Sequence, residues 1–154
     1  MESIKKIASF TVDHERLSPG IYISRRDGET VSYDLRTRKP NTEDLMDNAT
    51  MHSFEHMFAT YIRNGAVGAD VLYFGPMGCQ TGFYLLVNGR ENAEILSAVK
   101  DALLRILSHE GEMFGMSAKE CGNYRNLSVA RAKAEAKRFL EVLNEKEEWS
   151  FLYE

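Results

Sequence analysis

The stretch 50–64 constrains this chain most, because its apolar residues Met51, Phe54, Phe58, Tyr61 and Ile62 recur at i, i+3, i+7, i+10 and i+11. That spacing predicts a helix with one core-facing stripe. At about 100° per residue, His52 and His56 stand within about 40° of each other, and Glu55 lies between them and the stripe. The result is an H-x-x-E-H arrangement, in which two imidazoles one turn apart can hold one metal ion and the carboxylate beside them can move protons. The same histidines can also be solvated residues of an exposed helix face, so a metal site needs a third donor from elsewhere in the chain.

A chain of 154 residues with 44% hydrophobic content predicts a single globular domain, 1–154, with a sizeable core. Its net charge of -4 leaves no basic footprint for nucleic acid or for an anionic membrane surface. The start, Met-Glu-Ser-Ile-Lys-Lys-Ile, lacks the apolar run of a signal peptide, and nowhere is there an apolar run long enough to span a bilayer. A cytoplasmic location is therefore expected, where Cys79 and Cys121 stay thiols available for metal binding or catalysis.

Taken in order, residues 7–12 alternate as in a half-buried strand, and segments 20–24 and 30–36 read as a hairpin turned at Asp27-Gly28. Pro40-Asn41 breaks that pattern before the histidine helix, which is predicted to end with Gly65 in the left-handed conformation. A short strand at 71–74, a turn at 75–78 that presents Cys79, and a strand at 83–87 follow. Residues 92–109 repeat apolar positions as a packing helix, 112–126 is irregular and carries Cys121, and a last helix starts near Ser128. On that helix Arg131, Lys133, Lys137 and Arg138 read as a solvated face balanced by Glu135 and Glu141. The order of elements predicts an α+β domain, an antiparallel β-sheet with helices packed on one face.

The leading third donor is Cys121, in a loop able to fold back onto the helix, with His14 and His109 as the other nitrogen donors. Two histidines and one cysteine leave a fourth metal position open, which signals catalysis more often than structure. His109, at a helix end, also reads as a cation facing the helix dipole. Cys79, in a Gly-Pro-Met-Gly-Cys turn, is either a thiolate base or nucleophile, or a small residue suited to a tight turn. Glu55 is the partner acid or base.

These motifs together resemble the LuxS family of S-ribosylhomocysteine lyases. The resemblance is carried by His52-Ser53-Phe54-Glu55-His56, Gly75-Pro76-Met77-Gly78-Cys79-Gln80-Thr81-Gly82-Phe83-Tyr84 and Cys121-Gly122, with Ser9 to His14, Tyr33-Asp34-Leu35-Arg36 and Pro40-Asn41 in the same order. It implies a LuxS/metallohydrolase-like fold and a homodimer that cleaves the thioether of S-ribosylhomocysteine. The products would be homocysteine and 4,5-dihydroxy-2,3-pentanedione, the precursor of autoinducer-2. It further implies one divalent metal per subunit on His52, His56 and Cys121, with Fe(II) expected and Zn(II) or Co(II) as substitutes. Cys79 and Glu55 would be the acid/base pair, and Ser9, His14 and Arg36 would hold substrate from the subunit opposite the metal, placing the sites at the dimer interface.

The chain departs from the family pattern at Gly75 and Tyr73, where the family carries a serine and an aspartate, and at Asn126-Leu127-Ser128. Strict strand alternation would also put Ser9 and His14 on opposite faces, so a bend near Asp13 is required. Two rival readings remain: a metallopeptidase of the inverted zinc type, with Glu120 as its third ligand, and a catalytically silent metal-binding dimer.

Overall fold

The computed structural model describes residues 3–153. The predicted domain 1–154 also takes in Met1, Glu2 and Glu154, which lie outside the described residues. Strands β1 (Gly20–Asp27) and β2 (Thr30–Arg36) are followed by helix α1 (Asn48–Arg63), strands β3 (Val71–Pro76) and β4 (Gly82–Asn88), and helices α2 (Asn92–Leu107) and α3 (Val129–Leu143). The strands form one antiparallel sheet in the order β1-β2-β4-β3. Gly28, at φ 62°, makes the tight turn between the first two.

Alternation in β2 sends Val31, Tyr33 and Leu35 into the core shared with the three helices, while Ser32, Asp34 and Arg36 leave by the other face. Tyr33 faces Leu85, and Leu35 faces Phe83, across the β2–β4 ladder. Helix α1 docks through Phe54 and Phe58, whose rings meet Phe74 and Phe83 at centroid separations between 4.6 and 6.3 Å. Each such buried ring contributes about 1.5–3 kcal/mol by leaving water, which fixes the rotation of α1 and therefore the direction of its histidines. Asp47 caps that helix, its carboxylate accepting from Thr50 N at 2.7 Å. No described helix is long and apolar enough to cross a membrane.

Several local expectations give way. Residues 7–12 form no strand: Ala8–Phe10 is a 3-10 turn, closed by the backbone N and the hydroxyl of Thr11 donating to Ala8 O. The free edge of β1, which such a strand would need, is met instead by Phe151, whose carbonyl accepts from Ile23 N at 2.8 Å. β3 runs on through Gly75 and Pro76, paired with Tyr84 and Phe83, where a turn was expected. Proline is tolerated there because β3 is an edge strand, and the turn falls later, with Gln80 at φ 66°. Helix α1 closes at Asn64, at φ -99°, without a left-handed Gly65. Glu135 is not solvated but buried beneath Arg38, whose Nη2 lies 2.6 Å from its Oε1.

Candidate active site

Helix α1 presents His52 and His56 one turn apart, and the loop before α3 brings Cys121 Sγ within 3.4 and 3.7 Å of their Nε2 atoms. A tetrahedral ion with metal–nitrogen bonds of about 2.05 Å and a metal–sulfur bond of about 2.3 Å would set those separations near about 3.6 Å. The three donor atoms lie within 4.8 Å of one another. Both rings are aimed by their far nitrogens: His52 Nδ1 donates to Asn126 Oδ1 at 2.6 Å and His56 Nδ1 to Phe114 O at 2.8 Å. Asn126 is itself oriented, because its Nδ2 donates to Asn48 Oδ1 at 2.6 Å. The Nε2 lone pairs therefore face the thiol, and the donor set fits a soft or borderline divalent ion.

The loop that supplies Phe114 O is pinned from behind. His109 Nε2 donates to Glu112 O at 2.8 Å and its Nδ1 lies 2.7 Å from Tyr61 OH, so both nitrogens of this buried ring are engaged and it is not a metal ligand. Gly115, at φ 66°, takes a conformation that favours glycine, and a Cβ there would press on His56 Nδ1 at 3.2 Å. Ser53 Oγ, buried in the middle of the motif, accepts from Ser128 N at 2.8 Å and ties α1 to the start of α3. His14 and Glu120 take no part in the donor cluster.

Cys79 opens on a different cavity of about 370 Å³, lined also by Ser9, His14, Arg36 and Tyr84. The 3-10 turn at Ala8–Phe10 removes the problem of opposite strand faces and lets Ser9 and His14 border one space. Arg36, almost fully buried, gives Nε and Nη2 to Asp34 at 3.1 and 2.6 Å. Its remaining arm, Nη1, donates to Thr81 Oγ1 at 2.7 Å and lies 3.9 Å from Cys79 Sγ. Thr81 Oγ1 is 3.0 Å from the same sulfur. Burial alone would lower the pKa of Arg36, but the adjacent Asp34 carboxylate outweighs it and the net shift is upward. Burial and then Asp34 push the Tyr84 phenol up as well.

Glu55 and His56 border a third space, an open cleft of about 470 Å³ that also includes Tyr73 and Phe114. The cleft beside the histidines and the cavity of Cys79 have no lining residue in common. Within one chain, then, the expected acid/base pair is divided between two surfaces.

A family profile described as S-Ribosylhomocysteinase (LuxS) matches residues 7–149. The chain belongs to the LuxS family. It is 42% identical to the S-ribosylhomocysteine lyase of Finegoldia magna over 97% of this chain and 99% of that protein. It is 45% identical to that of Desulfotalea psychrophila over 92% and 93% of the two chains, and 44% identical to that of Clostridium beijerinckii over 89% and 90%.

Against the LuxS pattern, the departures at Tyr73 and Gly75 prove to be one linked exchange. A Cβ on Gly75 would overlap the Tyr73 hydroxyl, so the phenol occupies the room a serine would need. Asn126, another departure from the LuxS pattern, is the residue that orients His52. Sequence reasoning missed Thr81, Asn126 and His109 as supports. Only Thr81, inside the Gly-Cys-Gln-Thr-Gly run, carried a visible signal; the others reach the site through long-range contacts that no local pattern encodes.

Proposed function

We propose that this chain is an S-ribosylhomocysteine lyase, one domain over 1–154 acting in the cytoplasm as a homodimer of LuxS/metallohydrolase-like fold. The observation that carries the reading is the convergence of His52 Nε2, His56 Nε2 and Cys121 Sγ on one point, with Glu55 beside them and a second cysteine on another surface. A divalent metal held by His52, His56 and Cys121, with Fe(II) expected and Zn(II) or Co(II) able to replace it, supplies Lewis acidity next to the reacting carbons. Ser9, His14 and Arg36 hold the substrate. Cys79 takes a proton from one ribose carbon and returns it to its neighbour, twice, so that the carbonyl moves from C1 to C3. Glu55 then removes the C4 proton, the C5–S bond breaks, and homocysteine leaves with the electron pair as a thiolate. The remaining enol becomes 4,5-dihydroxy-2,3-pentanedione, the autoinducer-2 precursor.

The separation of the two lining sets supports assembly of each complete site from two subunits: Glu55 and the metal donors from one, and Cys79 with Ser9, His14 and Arg36 from its partner. The family resemblance implies only that the substrate-holding residues come from the opposite subunit; the grouping of Cys79 with them argues that it travels with that set. A peptidase reading is disfavoured because Glu120 lies outside the donor cluster. Its carboxylate accepts from Ser117 Oγ at 2.9 Å instead.

The test is anaerobic purification with Fe(II) or Co(II), followed by thiol detection of homocysteine released from S-ribosylhomocysteine by wild type and by Cys79→Ala. Release by wild type and none by the variant is expected. A metal-loaded wild-type dimer that releases no thiol sinks the lyase reading.

A further inference from the structure

The tail after α3 wraps the free edge of β1 and grips both faces of the sheet. Phe151, at φ 63°, places its ring in the core beside Tyr33, with centroids 5.9 Å apart. Two residues later the Tyr153 ring stacks on Tyr22, at 5.1 Å and an interplanar angle of 19°. Its hydroxyl donates to Asp34 Oδ2 at 2.7 Å. Tyr33 and Asp34 are consecutive in β2 and project to opposite faces, so a three-residue span of tail, Phe151 to Tyr153, holds the strand from both sides.

Asp34 is 1% exposed and lies on the sheet face away from the helices, where the alternation of β2 would otherwise leave it to water. Its Oδ2 takes both the Tyr153 hydroxyl and Arg36 Nη2. A buried carboxylate gripped from two directions cannot rotate without leaving a donor unpaired. Burial and the Asp34 charge both raise the Tyr153 pKa, keeping its hydroxyl proton available for that bond. The residues beyond 149 lie outside the family match, so nothing in the family pattern assigns this contact a role.

We propose that Tyr153 is a positioning residue for the Cys79 cavity: its hydroxyl fixes the Asp34 carboxylate, which holds the Arg36 guanidinium against Thr81 and Cys79. The proposal rests on the reading of Arg36 and Cys79 as parts of the substrate site. Tyr153 is not among the residues that line that cavity, so it acts through the groups it holds, Asp34 and through it Arg36.

Tyr153→Phe is the variant of choice, because it keeps the ring stacked on Tyr22 and removes only the hydroxyl. Metal-loaded full-length enzyme is alkylated with iodoacetamide, which is neutral, and with iodoacetate, which is anionic, and modification of the Cys79 peptide is timed by mass spectrometry. The iodoacetate-to-iodoacetamide rate ratio senses the Arg36 charge at the sulfur and needs no turnover. The ratio should fall about three- to tenfold in Tyr153→Phe, with KM for S-ribosylhomocysteine raised by a similar factor. In an Asp34→Asn background the same substitution should add nothing further, because the link it breaks is already cut. Ratio and KM at wild-type values in folded Tyr153→Phe overturn the proposal, even if kcat falls, since a change in kcat alone does not report the Arg36 charge at the sulfur. A shifted ratio in a protein whose wild type releases no homocysteine upholds the positioning role and rejects the lyase reading instead.

Discussion

The metal cluster and the Cys79 cavity are built in opposite ways. His52 and His56 come from one capped helix, one turn apart, and each is aimed by a single hydrogen bond behind it. The Cys79 cavity is lined by Arg36 from β2 and by Ser9 and His14 from an exposed N-terminal segment, and Tyr153 from the tail holds Asp34 behind Arg36. In the first, two of the three donors sit on one stiff helix and only Cys121 comes from a distant loop. The second is a meeting of distant segments, and its geometry depends on a buried ion pair. Damage to the metal cluster should therefore stay local, whereas damage to the Cys79 cavity should reach the stability of the whole domain.

The largest expected effect breaks the second region. Arg36→Met leaves Asp34 buried without its main counter-charge, and removing one partner of such a pair costs about 3–5 kcal/mol. Denaturant titration should show that loss. Asn126→Ala should weaken metal binding about 10- to 100-fold by freeing the His52 ring, with global stability nearly unchanged; a competition titration against a chelator measures it. An equal fall in stability would show that the two regions do not differ as described.

A small effect is expected from Gly75→Ser, which turns the exposed Tyr73 phenol aside into solvent and should cost about 1 kcal/mol at most. Tyr73→Ala combined with Gly75→Ser should recover most of it, and a strictly additive double variant would refute the linked exchange. Of similar size is Asp47→Ala at the start of α1, at about 1 kcal/mol. The Asp47 carboxyl is held below its usual 3.8, first by the Thr50 backbone N–H. The cap's contribution is therefore full above that usual value and lost as pH falls through the lowered one. Thermal melts of wild type and variant should converge in that acid window.

How legible each part was follows from the same contrast. The H-x-x-E-H pattern, the apolar stripe of α1 and the β1–β2 hairpin were readable because each is a repeat of neighbouring residues. Cys121 was readable as a donor type, although nothing in the sequence fixes its approach to His52. The strand expected at residues 7–12 failed because alternation describes a face and supplies no partner edge; Phe151 had taken the available one. Glu135 looked solvated among lysines and arginines, and only the fold reveals Arg38 above it. Tyr73 and Gly75 looked like two independent departures, since the phenol's place over residue 75 is a packing fact.

The lack of any shared residue between the Glu55 cleft and the Cys79 cavity has a consequence for mixtures. In the proposed symmetric dimer, a chain carrying Cys79→Ala and a chain carrying Glu55→Ala are each inactive alone, yet one hybrid pair contains one undamaged site and one doubly damaged site. Unfolded together and refolded in equal amounts, two dead proteins should regain about a quarter of wild-type turnover, because half the pairs are hybrids and half their sites are whole.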